Sequence, residues 1–244
     1  TLTISAAKAN EKPIIEEGGE NATVAITALD ATLASDLSAI VTNSVTAAYD
    51  NSGTFTGDFG SAVVTVNGGN TLTTTAAIVN GITISDGSGS NVTVVTALDA
   101  TLAADLSAIA TDSVTANFDS SGTFTGNFGS AVVTVINSNT LTTTAAIANG
   151  VTISDGSGSN ITAVTALDGT LGADLSTIST DSVTAAFDSS GTFTGNLGTA
   201  VVTVNGNATL TATAAIVNGV TINDGSGSNV TAVTALDATL ATDL

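Results

Sequence analysis

The chain has 244 residues, a formal charge of −19, two Lys, no Arg, no His and no Cys. A surface without cations beyond Lys12 cannot neutralise phosphates, which excludes nucleic-acid binding. Without imidazole or thiolate, zinc, haem and iron–sulfur chemistry and Ser-His or Cys-His catalysis are excluded too, leaving carboxylates, hydroxyls and amides.

The chain opens at Thr1 with no charged n-region and no long apolar run, so neither a signal peptide nor a membrane span is read from it, and it is expected to be a segment of something longer. Residues 1–21 read as a diverged partial repeat or cap. TLTISAAKAN at Thr1–Asn10 aligns with TLTTTAAIVN at Thr71–Asn80, but residues 1–21 hold both Lys (Lys8, Lys12), the one Pro (Pro13) and all four Glu (Glu11, Glu16, Glu17, Glu20). Stacked arrays need an atypical polar end unit, and this composition fits one; a linker or the edge of another domain fits equally.

The string TALD begins at Thr27, Thr96, Thr165 and Thr234, a constant step of 69 residues. The chain therefore divides into repeat 1 (22–91), repeat 2 (92–160), repeat 3 (161–229) and the start of repeat 4 (230–244). Repeats 2 and 3 are identical at 53 of 69 positions. Their differences cluster at Ile136–Asn139 against Asn205–Ala208, with Asn67–Asn70 in the earlier copy, which predicts a solvated loop.

Within repeat 2, Leu98, Leu102, Leu106 and Ile109 step by four, four and three, which predicts a short helix with Asp99 as its N-cap. SVTANF, TFTGNF, AVVTV and GVTI, between Ser113 and Ile153, run or alternate apolar between turn residues and read as short strands. TLTTTAAI, from Thr140, is either strand or a frayed turn, with Gly150 favouring a C-cap. Val95–Gly122 resembles Val133–Gly158, which favours two unequal coils per repeat; three coils of about 23 residues are the alternative. Aromatics are only 3% of the chain, which implies a core of Ala, Val, Ile, Leu and Thr. The expected fold is mainly β, a solenoid of stacked coils with one short helix per 69-residue unit. Tandem β-sandwich domains are the alternative, disfavoured because so short a unit without disulfides has a marginal core of its own.

The turn DGSGSN recurs at Asp86, Asp155 and Asp224, and Asp-x-Ser-Gly-Thr at Asp50, Asp119 and Asp188. Clustered oxygens make Asp86, Asp155 and Asp224 candidate calcium ligands; one carboxylate per turn equally fits an Asx-turn bonded to its own backbone. Thr54/Thr56, Thr123/Thr125 and Thr192/Thr194 suggest an ice-binding ladder, but each pair returns only once per repeat and β-propensity explains it. Paired acids could process polysaccharide, yet every Asp recurs in every copy. Asp30, Asp99, Asp168 and Asp237 read instead as helix N-caps, and Asp36, Asp105, Asp174 and Asp243 as solvated helix positions. Asn91, Asn160 and Asn229 stand in Asn-x-Thr triplets, which chance explains in a Thr-rich chain and glycan attachment would use.

The run ALDATLAADLSAIATDSVTA, Ala97–Ala116, resembles units in very long Asp/Thr/Ala/Val-rich repeat proteins of bacterial cell surfaces, especially marine cyanobacterial ones, including giant adhesin-like secreted chains. The regular GGxGxD nonapeptides of the calcium-dependent secreted group are missing. The resemblance implies an extracellular or cell-surface location, a structural or adhesive role and no catalytic residue. The expected function is a non-enzymatic rigid spacer, filament or surface-layer stalk, partnered by further copies of itself, adjoining repeats or surface glycans. Ice binding and then polysaccharide processing on a β-helix are the alternatives.

Overall fold

A computed structural model describes residues 1–16 and 21–235. The chain is a parallel β-solenoid of about 11 turns. Its residues sort into two compact units: Thr1–Leu98 with Leu102–Asn117 and Gly126–Ala131, and Asp99–Thr101 with Phe118–Thr125 and the chain from Val132 on.

In the first unit, one parallel sheet runs in order through Leu2–Ser5, Thr23–Leu29, Ser44–Tyr49, Val63–Val66, Ile84–Asp86 and Ile109–Ala110. A second stack holds Gly53–Thr54, Thr71–Thr75 and Val92–Leu98. The other unit repeats the scheme with a sheet through Gly122–Thr123, Thr140–Thr144, Ile161–Leu167, Ser182–Phe187, Val201–Val204 and Ile222–Asp224. Each strand pairs with one a full turn later in sequence, so every strand pair is a coil stacked on a coil.

The alternation that identified the strands also builds the core. Along Ser113–Phe118, Val114, Ala116 and Phe118 point inward while Ser113, Thr115 and Asn117 do not. All eight aromatic side chains, Tyr49 and seven Phe, are less than 2% exposed, so the core is anchored by aromatics despite their low number. Phe55 and Phe59 stack with centroids 4.2 Å apart. Of TFTGNF only Thr123 belongs to a strand, Gly122–Thr123; Phe124 turns inward between exposed Thr123 and Thr125.

Two expectations are corrected here. Stacked partners lie from 17 residues apart (Thr46 with Val63) to 26 apart (Ile14 with Ile40), so a 69-residue repeat makes about three coils and not two. No helix covers Leu98–Ile109. Leu98 ends a strand, Ala104, Leu106 and Ile109 are buried, and Leu106 N donates to Asn127 O while Asn127 N donates to Ala104 O. Side-chain turns and the neighbouring coil take the backbone groups that a helix would have used. The one short helix per repeat lies elsewhere, at Ala6–Ala9, Ala76–Val79, Ala145–Ala148 and Ala214–Val217, directly after the Thr-rich strand. Thr144 caps one of them, accepting from Ile147 N.

The variable loop is solvated as expected. Its two central residues, Gly68–Gly69, Asn137–Ser138 or Gly206–Asn207, all adopt φ between +60° and +72°. Gly and Asn, which take the left-handed region most readily, fill five of these six positions, and Ser138 is the exception.

Candidate functional site

The most elaborate polar arrangement in each repeat lies at the DGSGSN corner. Strand Ile84–Asp86 turns through Gly87–Gly89 to reach Asn91, whose side chain is fully buried. Asn91 Nδ2 donates to Asp86 Oδ1 (2.9 Å), Gly89 O (3.1 Å) and Ser88 O (3.3 Å). Its Oδ1 accepts from Asn70 N on the preceding coil at 3.0 Å, and its backbone N donates to Asp112 Oδ2 on the following coil at 3.2 Å. Asn160 does the same with Asp155, Asn139 and Asp181 at 2.8, 3.1 and 3.1 Å. Asn229 donates to Asp224 Oδ1 at 2.8 Å and accepts from Ala208 N at 3.1 Å. Each asparagine thus closes its own turn and joins neighbouring coils. In the sequence these residues stand out as glycan triplets and as the last residue of the DGSGSN turn; their place immediately before a strand, five residues after an Asp, was the available signal of a corner residue.

The structure therefore gives Asp86, Asp155 and Asp224 a definite neighbour: in each turn one carboxylate oxygen receives the Asn amide. Among the described residues, no three of His, Cys, Asp or Glu are grouped to hold a metal.

The acids read as helical are not on helices. Asp30, Asp99 and Asp168 each accept at Oδ1 from the N and Oγ1 of the Thr two residues later, at 2.6–2.8 Å. Asp36, Asp105 and Asp174 do so from Ser38, Ser107 and Ser176 at 2.6–3.0 Å. These are Asx-turns, and the hydroxyl donors chiefly, with the backbone N–H next, hold Asp30, Asp36, Asp105, Asp168 and Asp174 below the ordinary aspartate value of 3.8. Asp237 and Asp243 lie outside the described residues.

Three surface hollows show how acids are distributed. One is lined by Val217, Val220, Ile222, Thr231 and Val233; among the described residues the others contain one acid each, Asp224 and Glu16. Among the described residues, none of the three brings two carboxylates together for acid–base work.

The outward face of the sheet that runs through Gly122–Thr123, Thr140–Thr144 and Ile161–Leu167 carries Thr in a column that sequence spacing did not reveal. Thr123 stacks on Thr142, followed by Ala163, Thr184 and Val201. Thr123 and Thr142 of repeat 2 and Thr184 of repeat 3 supply its hydroxyls, and Ala163 and Val201 interrupt it.

The Asn-x-Thr triplets divide by environment. At Asn91 and Asn160 the Asn is buried, and the triplet hydroxyls of Thr93 and Thr162 are buried and accept from Thr111 and Thr180 at 3.0 Å. Two triplets passed over in the sequence, Asn21-Ala22-Thr23 and Asn207-Ala208-Thr209, begin at exposed Asn residues. A full scan for the pattern finds them, but only the structure separates them from the buried pair; Asn229 lies between, half-buried with its Nδ2 donating to Asp224 Oδ1 and Ser226 O.

No helix among the described residues is long and apolar enough to cross a membrane. No family model, curated protein or solved structure matches the chain.

Proposed function

We propose that this chain is a non-enzymatic structural repeat, a spacer or stalk segment of an extracellular or cell-surface protein, whose length is set by how many 69-residue units it contains. The observation that carries the reading is the recurrence of one coil interface: Thr71 pairs with Val92, Thr140 with Ile161 and Thr209 with Val230, with the same offset each time. A chain selected for a unique pocket has no need to rebuild the same interface, whereas a chain selected for extension does. The polar groups are spent on the same task. Turn acids receive their own Ser and Thr hydroxyls, and the corner asparagines join coil to coil. Further copies or adjoining repeats are the natural partners, and surface glycans would meet the hydroxyl-rich outer faces. Antibody labelling of intact against permeabilised cells tests the location: labelling of intact cells supports a surface stalk, and signal only after permeabilisation contradicts it.

The column of Thr123, Thr142 and, beyond Ala163, Thr184 favours ice binding as a second reading, since stacked strands ~4.8 Å apart set Thr123 and Thr142 side by side and Thr184 two strands further on. Thermal hysteresis in the purified chain that disappears on Thr142→Lys would promote that reading above the stalk.

A further inference from the structure

We propose that Asn207 is an acceptor for N-linked glycan on the folded chain, and that the internal triplets at Asn91 and Asn160 are not. The proposal rests on the reading of an exported protein for its setting, and on geometry for its choice of residue. Transfer to asparagine requires that Nδ2 reach the anomeric carbon of a lipid-pyrophosphate-linked oligosaccharide. The Nδ2–C1 bond forms as the C1–O bond breaks, the electron pair leaves on the pyrophosphate and Nδ2 gives up a proton to the medium. An amide nitrogen that is buried and already donating its hydrogens cannot make that approach without local unfolding.

Asn207 meets the requirement. It lies at the tip of the variable loop with φ +62°, exposed, between Gly206 and Ala208. Its Oδ1 accepts from Ser228 N at 2.9 Å, which orients the amide, while its Nδ2 has no hydrogen-bond partner among the described residues. The hydroxyl of Thr209 is likewise without a partner among them, only its backbone N being engaged, by Ser190 Oγ at 2.8 Å. A glycan on Nδ2 therefore breaks no bond of the loop and leaves the Ser228 contact in place. Asn91 and Asn160 present the opposite: the same triplet chemistry, with Nδ2 committed to three acceptors and the side chain sealed in a corner. Only repeat 3 carries the loop triplet, because the equivalent residues are Gly69 and Ser138 in the earlier copies. The modification would mark one repeat among near-identical ones. Asn21, exposed and accepting from Asn43 Nδ2 at 3.1 Å, is the second accessible triplet.

The test uses full chain made in a host without N-glycosylation, treated with purified oligosaccharyltransferase and a lipid-linked oligosaccharide, once folded and once unfolded in a parallel reaction. Sites are mapped by mass spectrometry after digestion with a broad-specificity protease. In the folded chain, modification at Asn207 should exceed that at Asn160 by at least about tenfold, and in the unfolded chain the two should be comparable. Asn207→Ser, which installs the residue that repeat 2 has at Ser138, should abolish that site without lowering the Tm. A folded chain unmodified at Asn207 while the unfolded chain accepts glycan there, or equal modification of Asn207 and Asn160 in the folded chain, overturns the proposal. Neither result depends on where the native chain resides, so the location reading stands or falls separately on cell labelling.

Discussion

At the scale of single residues, the repeats provide their own controls. Ser35 is completely buried and its Oγ has no partner, whereas the equivalent residues in the next two copies are Ala104 and Ala173. An orphaned buried hydroxyl costs roughly 1–3 kcal/mol, so Ser35→Ala should stabilise the chain by about 1 kcal/mol in chemical denaturation; a loss of stability would show that Ser35 has a role the other copies lack. The Asx-turn acids make a pH prediction. A carboxylate held below its ordinary value when folded contributes stability that is complete above the unfolded value and is lost as pH falls through the folded one. For Asp36, Asp105 and Asp174 that window lies below the ordinary 3.8. Asn can take the same turn, as Asn127 and Asn196 replace Asp58 while still accepting from the Gly two residues on at 3.0 Å. The triple variant Asp36→Asn, Asp105→Asn, Asp174→Asn should therefore lose less Tm than the parent between about pH 4 and pH 2; parallel curves would remove these turns from the acid response.

At the scale of the element, the corner asparagine fixes which coil meets which. Asn160→Ala strands Asn139 N, takes the amide from Asp155 and leaves the 155–158 turn unclosed, and should cost roughly 3 kcal/mol in denaturant unfolding, against near zero for Asn207→Ser on the exposed loop. Equal effects at the two sites would mean that the corner is not a clasp. These corners also explain what was readable beforehand. Strands such as Ser113–Phe118 and Val132–Val135 were legible because inward Val, Ala and Phe alternate with polar residues over a period of two. The loop at Ile136–Asn139 was legible because near-identical copies disagree there. The number of coils was not, since parallel partners lie a full turn away and turn length varies with the loops between them. Leu98–Ile109 misled because its four-four-three spacing satisfies a helix, while Asp99, Asp105 and Ser107 offered the backbone local turns and Asn127 offered it the next coil. The Asn91 and Asn160 clasps were hidden because a buried amide and a glycan acceptor share one triplet.

At the scale of the whole molecule, a charge of −19 with both cations before residue 13 leaves most acids without an ion-pair partner. Salt should therefore raise the Tm through screening. Because each DGSGSN turn offers a single carboxylate already bonded to Asn, a calcium chelator should move the Tm no further than an equal change in ionic strength; a much larger fall would assign calcium to Asp86, Asp155 and Asp224. Stability itself is expected to come from nearest-neighbour coil contacts, with 69 residues as the interchangeable unit. The most direct measurement is deletion of residues 161–229, joining Asn160 to Val230, followed by thermal unfolding and small-angle scattering. Asn160 precedes Ile161 as Asn229 precedes Val230, so the junction preserves the corner and the strand that follows it. The predicted product keeps its parallel-β circular dichroism and a cooperative transition, and is shorter along the stacking direction by about three turns, or ~15 Å. Collapse to an unfolded chain, or a folded product with no change in that dimension, would contradict a solenoid of interchangeable repeats.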